Sequence, residues 1–278
     1  MSVASFAAVQ ILRALPRTRV SRAVGRLCDA DIPAGLSRAI VRLYVQAYRV
    51  DLEECAPCEG AYRNFDQFFT RQLKPGRRTI CSSAREIASP ADGRIEAIGP
   101  IDGDGTLLVK KRPYQVADLV GDDTDAARYQ GGQFAVVYLS PRDYHRVHAP
   151  VSGHVTRVRS MPGDLFPVNA IGERHVPSLF SKNRRVAIVI DTEGLGRVTV
   201  VMVGAIIVGR ITVDVIPGPD VPLGDHPITP GRAVQKGDEI GVFHLGSTAI
   251  VFVEPGVTAP FARAIGPVRL GQSLAGDS

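Results

Sequence analysis

Apolar positions along the chain follow two different rhythms. In the first 70 or so residues Leu36, Ile40, Leu43 and Ala47 recur at intervals of three to four, flanked by Arg38, Arg42 and Arg49, which predicts short amphipathic helices with an arginine fringe. From about residue 85 onward the pattern changes to short β-branched runs separated by Gly, Pro and Asp: QFAVVYL, RVAIVID and RVTVVMVGAIIVGRITVDVI. The last such run, IGVFHLGSTAIVFVEPG at residues 240–256, reads as one buried strand broken in its middle by Gly246, Ser247 and Thr248. The pattern therefore predicts an α+β protein, with N-terminal helices followed by a β-rich, sandwich-like body. FDQFFTRQLKPGRR lies in the joining segment, and the boundary falls near residue 75, dividing a helical region 1–75 from a body 76–278. SPADGRI and APVSGHV, 60 residues apart, share a small-Pro-x-x-Gly-x-aliphatic pattern that predicts two similar turn-to-strand corners.

Charge sharpens the division. The chain has 28 Arg and only 5 Lys in 278 residues. Residues 1–50 carry a balance of +6 and the remainder −1, so the whole positive excess sits on the helical region. Such helices can simply pack on a domain, or can lie in the headgroup layer of an anionic membrane. No segment reaches the roughly 20 apolar residues needed to span a bilayer. The nearest, VASFAAVQILRAL at residues 3–15, is broken by Arg13 and stopped by Pro16; its arginines follow the apolar run, unlike those of a signal peptide, so it is expected to be retained. The tail after Gly266 is short, and its last residues, GQSLAGDS, are expected to trail into solvent.

Four cysteines, at 28, 55, 58 and 81, all fall in the first 81 residues and make a poor disulfide framework for a core that lies downstream. Cys55 and Cys58 form a C-x-x-C with no second pair and no nearby histidine, so free thiols in a reducing compartment are expected and no metal site is assigned. His145 and His148 stand three apart in YLSPRDYHRVHAPVSG, where a helix or turn can bring them to one side. Asp92 lies on a Pro-led, Gly-closed turn, a common place for aspartate with or without a function. An Asp, a His and Ser247 can supply orienter, base and nucleophile whatever their spacing. LGSTA does not fit the G-x-S-x-G elbow of many serine hydrolases. A serine preceded by glycine has another target, the carbonyl of that glycine, which no side chain crowds.

FHLGST, SPADG, YLSPRDYHRVHAP, LFPVN, VPSLFSKNRRVAIVIDTE and VMVGAIIVGRI closely resemble the corresponding motifs of bacterial phosphatidylserine decarboxylases of the proenzyme type. The similarity runs from about Leu15 to the C-terminus and includes VDLEE and FDQFFTRQLKPGRR. The resemblance implies that the Ser247 hydroxyl attacks the Gly246 carbonyl, that the Gly246–Ser247 bond breaks, and that Ser247 becomes a covalent pyruvoyl cofactor. It implies His148 as base of that maturation, Asp92 as the carboxylate orienting it, and His145 as proton donor or positioning group in decarboxylation. The products would be a large chain, 1–246, and a small chain of 32 residues, 247–278. A carbanion left by loss of CO₂ needs an electron sink, which an imine between the substrate amine and the pyruvoyl ketone supplies.

The resemblance further implies phosphatidylserine as substrate, phosphatidylethanolamine and CO₂ as products, and a peripheral place on the cell membrane, at its cytoplasmic face. The protomers are expected to pair, the cofactor needs no metal, and no nucleic-acid partner is expected. Arg210 stands where many relatives of this kind have serine. Two other classes remain to be distinguished. One is a serine hydrolase using Asp92, His148 and Ser247 on an external ester. The other is a lipoyl-like carrier, whose corners the two echoed segments also resemble, although none of Lys74, Lys110, Lys111, Lys182 and Lys236 has a symmetric apolar hairpin setting.

Overall fold

Most of the β-branched runs join a single sheet, as both-face burial of continuous apolar strands requires. The computed structural model describes residues 17–168, 172, 175–205, 210–245, 247–256 and 258–276. Its helices are α1 (Arg17–Asp29), α2 (Ala34–Tyr48), α3 (Phe65–Phe69), α4 (Val116–Val120), α5 (Asp123–Arg128) and α6 (Leu179–Lys182). The first strands are β1 (Gly93–Pro100), β2 (Thr106–Val109), β3 (Arg112–Gln115), β4 (Gln133–Leu139), β5 (Arg146–His148) and β6 (Gly153–Met161). They are followed by β7 (Arg185–Asp191), β8 (Arg197–Val203), β9 (Arg210–Val213), β10 (Gly224–Val234), β11 (Glu239–His244), β12 (Ser247–Val253) and β13 (Gly266–Val268).

Eight strands form one antiparallel sheet in the order β10-β6-β7-β8-β12-β4-β1-β13, and β5-β11-β9 form a second, three-stranded sheet. Alternation along β12 explains how the large sheet is covered. Ala249, Val251 and Val253 share a core with Val147, Ile211, Ile240 and Phe243 of the small sheet. Ile250 and Phe252 point the other way, into a core with Phe69, Leu119 and Phe180 from the helices. The expected sandwich is thus present on one face, and helices close the other. Each fully buried Val, Ile or Phe contributes about 1.5 to 3 kcal/mol, so the paired strands β7, β8 and β12 anchor the body.

The run 240–256 is not one interrupted strand. β11 belongs to the small sheet and β12 to the large one, so the chain changes sheets between His244 and Ser247. Leu245, in that crossing, has φ 86°. A branched L-residue rarely adopts this region, and holding one there costs about 1 to 3 kcal/mol. The C-terminal stretch also departs from expectation. Leu274 is fully buried, its N–H donates to the Ile87 carbonyl at 2.9 Å, and its own carbonyl accepts from the N–H groups of Ala262 and Arg263.

The predicted helices near residues 36–47 appear as α2, which ends where Arg49 turns to a left-handed φ of 55°. Leu27, Leu36 and Leu43 are 73%, 51% and 69% exposed on α1 and α2. Residues 3–15, with the apolar run noted above, lie outside the described residues. Among the described residues no helix is long and apolar enough to cross a membrane. Cys55 and Cys58 are unbridged, and the buried Cys55 thiol donates to the Asp51 carbonyl at 3.4 Å.

Candidate active site

Two segments face each other around the crossing from β11 to β12. Ser247 pairs with Leu139 at the end of β4, while four residues earlier the Phe243 N–H donates to the His145 carbonyl at 3.0 Å. The loop between Leu139 and His145 therefore runs antiparallel to the stretch between Phe243 and Ser247. Asp143 shapes that loop: its carboxylate accepts from the Ser140 N–H at 2.8 Å and from the Ser140 hydroxyl at 2.6 Å. Gly246 and the Ser247 side chain, the expected cleavage site and nucleophile, lie outside the described residues.

His145 and His148 occupy different surroundings because the chain between them is β5, not a helix or a turn. In a strand, positions three apart face opposite ways. The His145 ring is fully buried and packs on Phe69 with ring centres 4.1 Å apart. Its Nδ1 lies 2.8 Å from the Asp143 carbonyl, which can only accept, so Nδ1 carries the proton. Nε2 is buried and has no partner among the described residues. Burial, reinforced by the Arg71 guanidinium and opposed by the bond to Asp143, pushes this histidine down to about 3. It is a neutral imidazole with an unspent lone pair.

His148 is neutral for a related reason. Its Nδ1 donates to the Gly237 carbonyl at 2.7 Å, which leaves Nε2 to accept from the Tyr144 hydroxyl at 3.1 Å. Burial pushes it below the ordinary histidine value, while the Gly237 bond and the carboxylates of Glu239 and Asp92 partly offset that shift. A histidine in this state can take up a proton, as a general base must.

Asp92 is nearly buried, and its environment is built by an arginine. Arg78 Nε donates to Oδ1 at 2.8 Å, an Nη of Arg78 bonds Oδ2, and the Leu270 N–H donates to Oδ1 at 2.8 Å. Arg78 also reaches Glu54 at 2.7 Å, and that bond holds the Glu54 carboxyl below its usual range. The Asp92 carboxylate acts on His148 through its charge, and no hydrogen bond joins the two side chains in the described geometry. The two corners nevertheless meet: the His148 N–H donates to the Pro90 carbonyl at 2.8 Å, and the Ala88 N–H to the Pro150 carbonyl at 3.0 Å. Gly93 closes the Asp92 turn where a Cβ would collide with the Tyr138 carbonyl.

The structure thus brings Asp92 and His148 to adjoining corners, and His145 and Ser247 to opposite ends of facing segments. Sequence reasoning missed the groups that hold them: Arg78 on Asp92, Tyr144 and the Gly237 carbonyl on His148, and Phe69 under His145. It also missed the partners of Arg210, which bonds Asp29, Asp66 and His244. Phe69 and Arg78 were visible only as parts of FDQFFTRQLKPGRR, where nothing in the spacing tells a site residue from a core one.

A family profile for phosphatidylserine decarboxylase matches residues 65–276, which include every residue just described from Phe69 to Leu270. The chain belongs to the phosphatidylserine decarboxylase family. It is an enzyme of the carboxy-lyase class, which sets aside the hydrolase and carrier alternatives. A phosphatidylserine decarboxylase proenzyme of Anaeromyxobacter sp. (strain K) is 39% identical over 282 residues, covering 96% of this chain and 97% of the relative. Proteins of the same description from Shewanella sp. (strain MR-7) and Shewanella frigidimarina are each 38% identical over 274 residues, covering 94% of this chain.

Proposed function

We propose that this enzyme converts phosphatidylserine to phosphatidylethanolamine and CO₂ with a pyruvoyl group made from its own Ser247. The observation that carries the reading is the near full-length similarity to proteins described as proenzymes. The strained turn at Leu245, immediately before the expected cleavage site, supports it.

In maturation, His148 takes the proton of the Ser247 hydroxyl, which attacks the Gly246 carbonyl carbon. The Gly246–Ser247 C–N bond breaks and an ester forms. Loss of the Ser247 α-proton then expels the Gly246 carboxylate, and addition of water with release of ammonia leaves the ketone on the small chain, 247–278. Asp92, clamped by Arg78, holds negative charge near His148 and stabilises the imidazolium that this transfer creates.

The residues around the start of β12 fit such a group. His145 Nε2 and Thr248 Oγ1 are both buried without a partner, so each has hydrogen-bonding capacity that the protein itself does not use. The ketone supplies an electron sink for the electrons left by the departing carboxylate. His145 positions the headgroup through Nε2. A bound substrate carboxylate raises its proton affinity and arms it to protonate the α carbon.

Exposed Leu27, Leu36 and Leu43 beside Arg26, Arg38 and Arg42 support a peripheral site of action on an anionic membrane, at its cytoplasmic face. The large and small chains stay together, and processed protomers pair. Intact mass of purified protein tests the core of this reading. Wild type is expected as two chains cut after Gly246, the smaller lacking a free N-terminal amine. Ser247→Ala is expected as one uncut, inactive chain, and a Ser247→Ala protein cut at that bond would overturn the assignment.

A further inference from the structure

The bend at Leu245 needs something to hold the end of β11, and the last residue of that strand is gripped at both ring nitrogens. His244 Nδ1 lies 2.9 Å from each carboxylate oxygen of Asp66, and Nε2 lies 3.1 Å from the Thr212 hydroxyl on neighbouring β9. Arg210 Nη2 lies 2.9 Å from the same Nδ1, so a carboxylate and a guanidinium both meet the ring at that nitrogen. Asp66, on α3, is fixed in turn by Arg210 Nη2 at 2.9 Å. The other face of the Arg210 guanidinium forks onto Asp29, the last residue of α1, with Nη2 2.8 Å from Oδ1.

These groups are shielded from water, with side-chain exposures of 16% for His244, 15% for Asp66 and 26% for Arg210. Four elements, α1, α3, β9 and β11, thus converge on one imidazole. The cluster borders a cavity of about 180 Å³ that Leu245 also lines. None of these side chains is among the residues assigned above to maturation or decarboxylation. The network ties these elements together, and the residue it holds is separated only by Leu245 and Gly246 from the serine expected to react.

We propose that His244 is a positioning residue for self-cleavage. Gripped by Asp66 and Thr212, it fixes the end of β11 and the bend at Leu245, and through them sets the rate at which the Gly246–Ser247 bond is cut. It exchanges no atom or proton in the reaction. The inference rests on the cleavage proposed above and adds a second requirement to it: the nucleophile and its base are insufficient unless the preceding strand end is held. Small displacements of reacting groups commonly cost on the order of 10²-fold in rate.

The test follows cleavage of the full-length chain by intact mass over time after synthesis, beside thermal unfolding of the same samples. His244→Ala is expected to cut roughly tenfold or more slowly than wild type, with a melting temperature within a few degrees of it. In His244→Asn the side-chain amide keeps both a donor for Asp66 and an acceptor for Arg210, and most of the rate is expected to return. Thr212→Val, which removes only the hydroxyl, tests the other side of the grip if His244→Ala folds poorly, and slower cutting is again expected. Wild-type cutting in folded His244→Ala or Thr212→Val overturns the inference, as does an Asn variant as slow as Ala. Slowing matched by an equal loss of folded protein also overturns it, because a merely structural residue behaves that way. A wild-type chain that remains uncut removes the proposed cleavage itself. Cutting in wild type with none of the expected slowing removes only the role of His244.

Discussion

The Phe243 N–H and the His145 carbonyl meet at 3.0 Å, and this bond sets a fully buried imidazole beside the strand that leads to Gly246. The ring is neutral, and acid must force a proton onto a group the fold keeps dry. Its value falls from the ordinary 6.5 to about 3 on folding, so the unfolded chain binds the proton first. The stability that depends on the neutral ring is complete above about pH 6.5 and is lost as pH falls toward 3. Between pH 6.5 and 5 the loss should reach about 2 kcal/mol. Urea unfolding of wild type and His145→Gln at both pH values checks this. The variant should lose less stability, and equal losses would remove His145 as the source.

Cleavage should follow the protonation of His148. Burial holds that ring below the usual histidine range, so the base stays unprotonated at pH values where a free imidazole is already half charged. The rate of chain cutting, plotted against pH, should therefore fall with a midpoint below 6.5, and His148→Ala should remain uncut across the range. A midpoint above 6.5 would contradict the dry surroundings described for this ring.

Arg78 is predicted to matter more for folding than its place outside the reacting groups suggests. Its guanidinium and the Asp92 carboxylate have side-chain exposures of 7% and 11%, and among the described residues Asp92 pairs with no second cation. Arg78→Ala leaves a buried carboxylate uncompensated and should destabilise the protein by about 3 to 5 kcal/mol. Chemical denaturation measures it directly. Arg78→Lys should lie between, because an ammonium cannot reproduce the two-point contact.

Vesicle binding separates the two uses of the N-terminal helices. Leu27→Ser with Leu43→Ser should weaken sedimentation with anionic vesicles, and Arg38→Gln with Arg42→Gln should weaken it in a way that added salt mimics. These side chains make few internal contacts, so the melting temperature should stay close to wild type. Unchanged binding in both double variants would assign the helices to packing alone.

The strands were readable because β-branched runs bounded by Gly, Pro and Asp state their own local conformation, and QFAVVYL and RVAIVID became β4 and β7 almost residue for residue. Which sheet a strand joins is a different kind of information. Nothing local in FHLGSTAIVF says that His244 and Ser247 belong to different sheets, because the choice is made by partners such as Arg210 and Leu139, both distant in sequence. The same limit applies to the site. Asp92, His145 and His148 stood out through residue type and motif. The groups that tune the two histidines, Arg71, Glu239 and the Gly237 carbonyl, look ordinary until folding brings them near. The spacing of the two histidines misled because a spacing of three means one side on a helix and opposite sides on a strand.

The central place of β12, between β8 and β4, carries a consequence for the cleavage proposed above. A cut ahead of this strand leaves the shorter polypeptide woven into the sheet, with β13 stitched to β1 at its edge. The ladders of β12 cannot open without splitting the sheet between β8 and β4, so the pieces of such a cut would stay together with no covalent tie. Once melted, they must find each other in solution, a search the unbroken precursor never faced. Such a molecule is made once, and its working lifetime is set by how slowly it first comes apart.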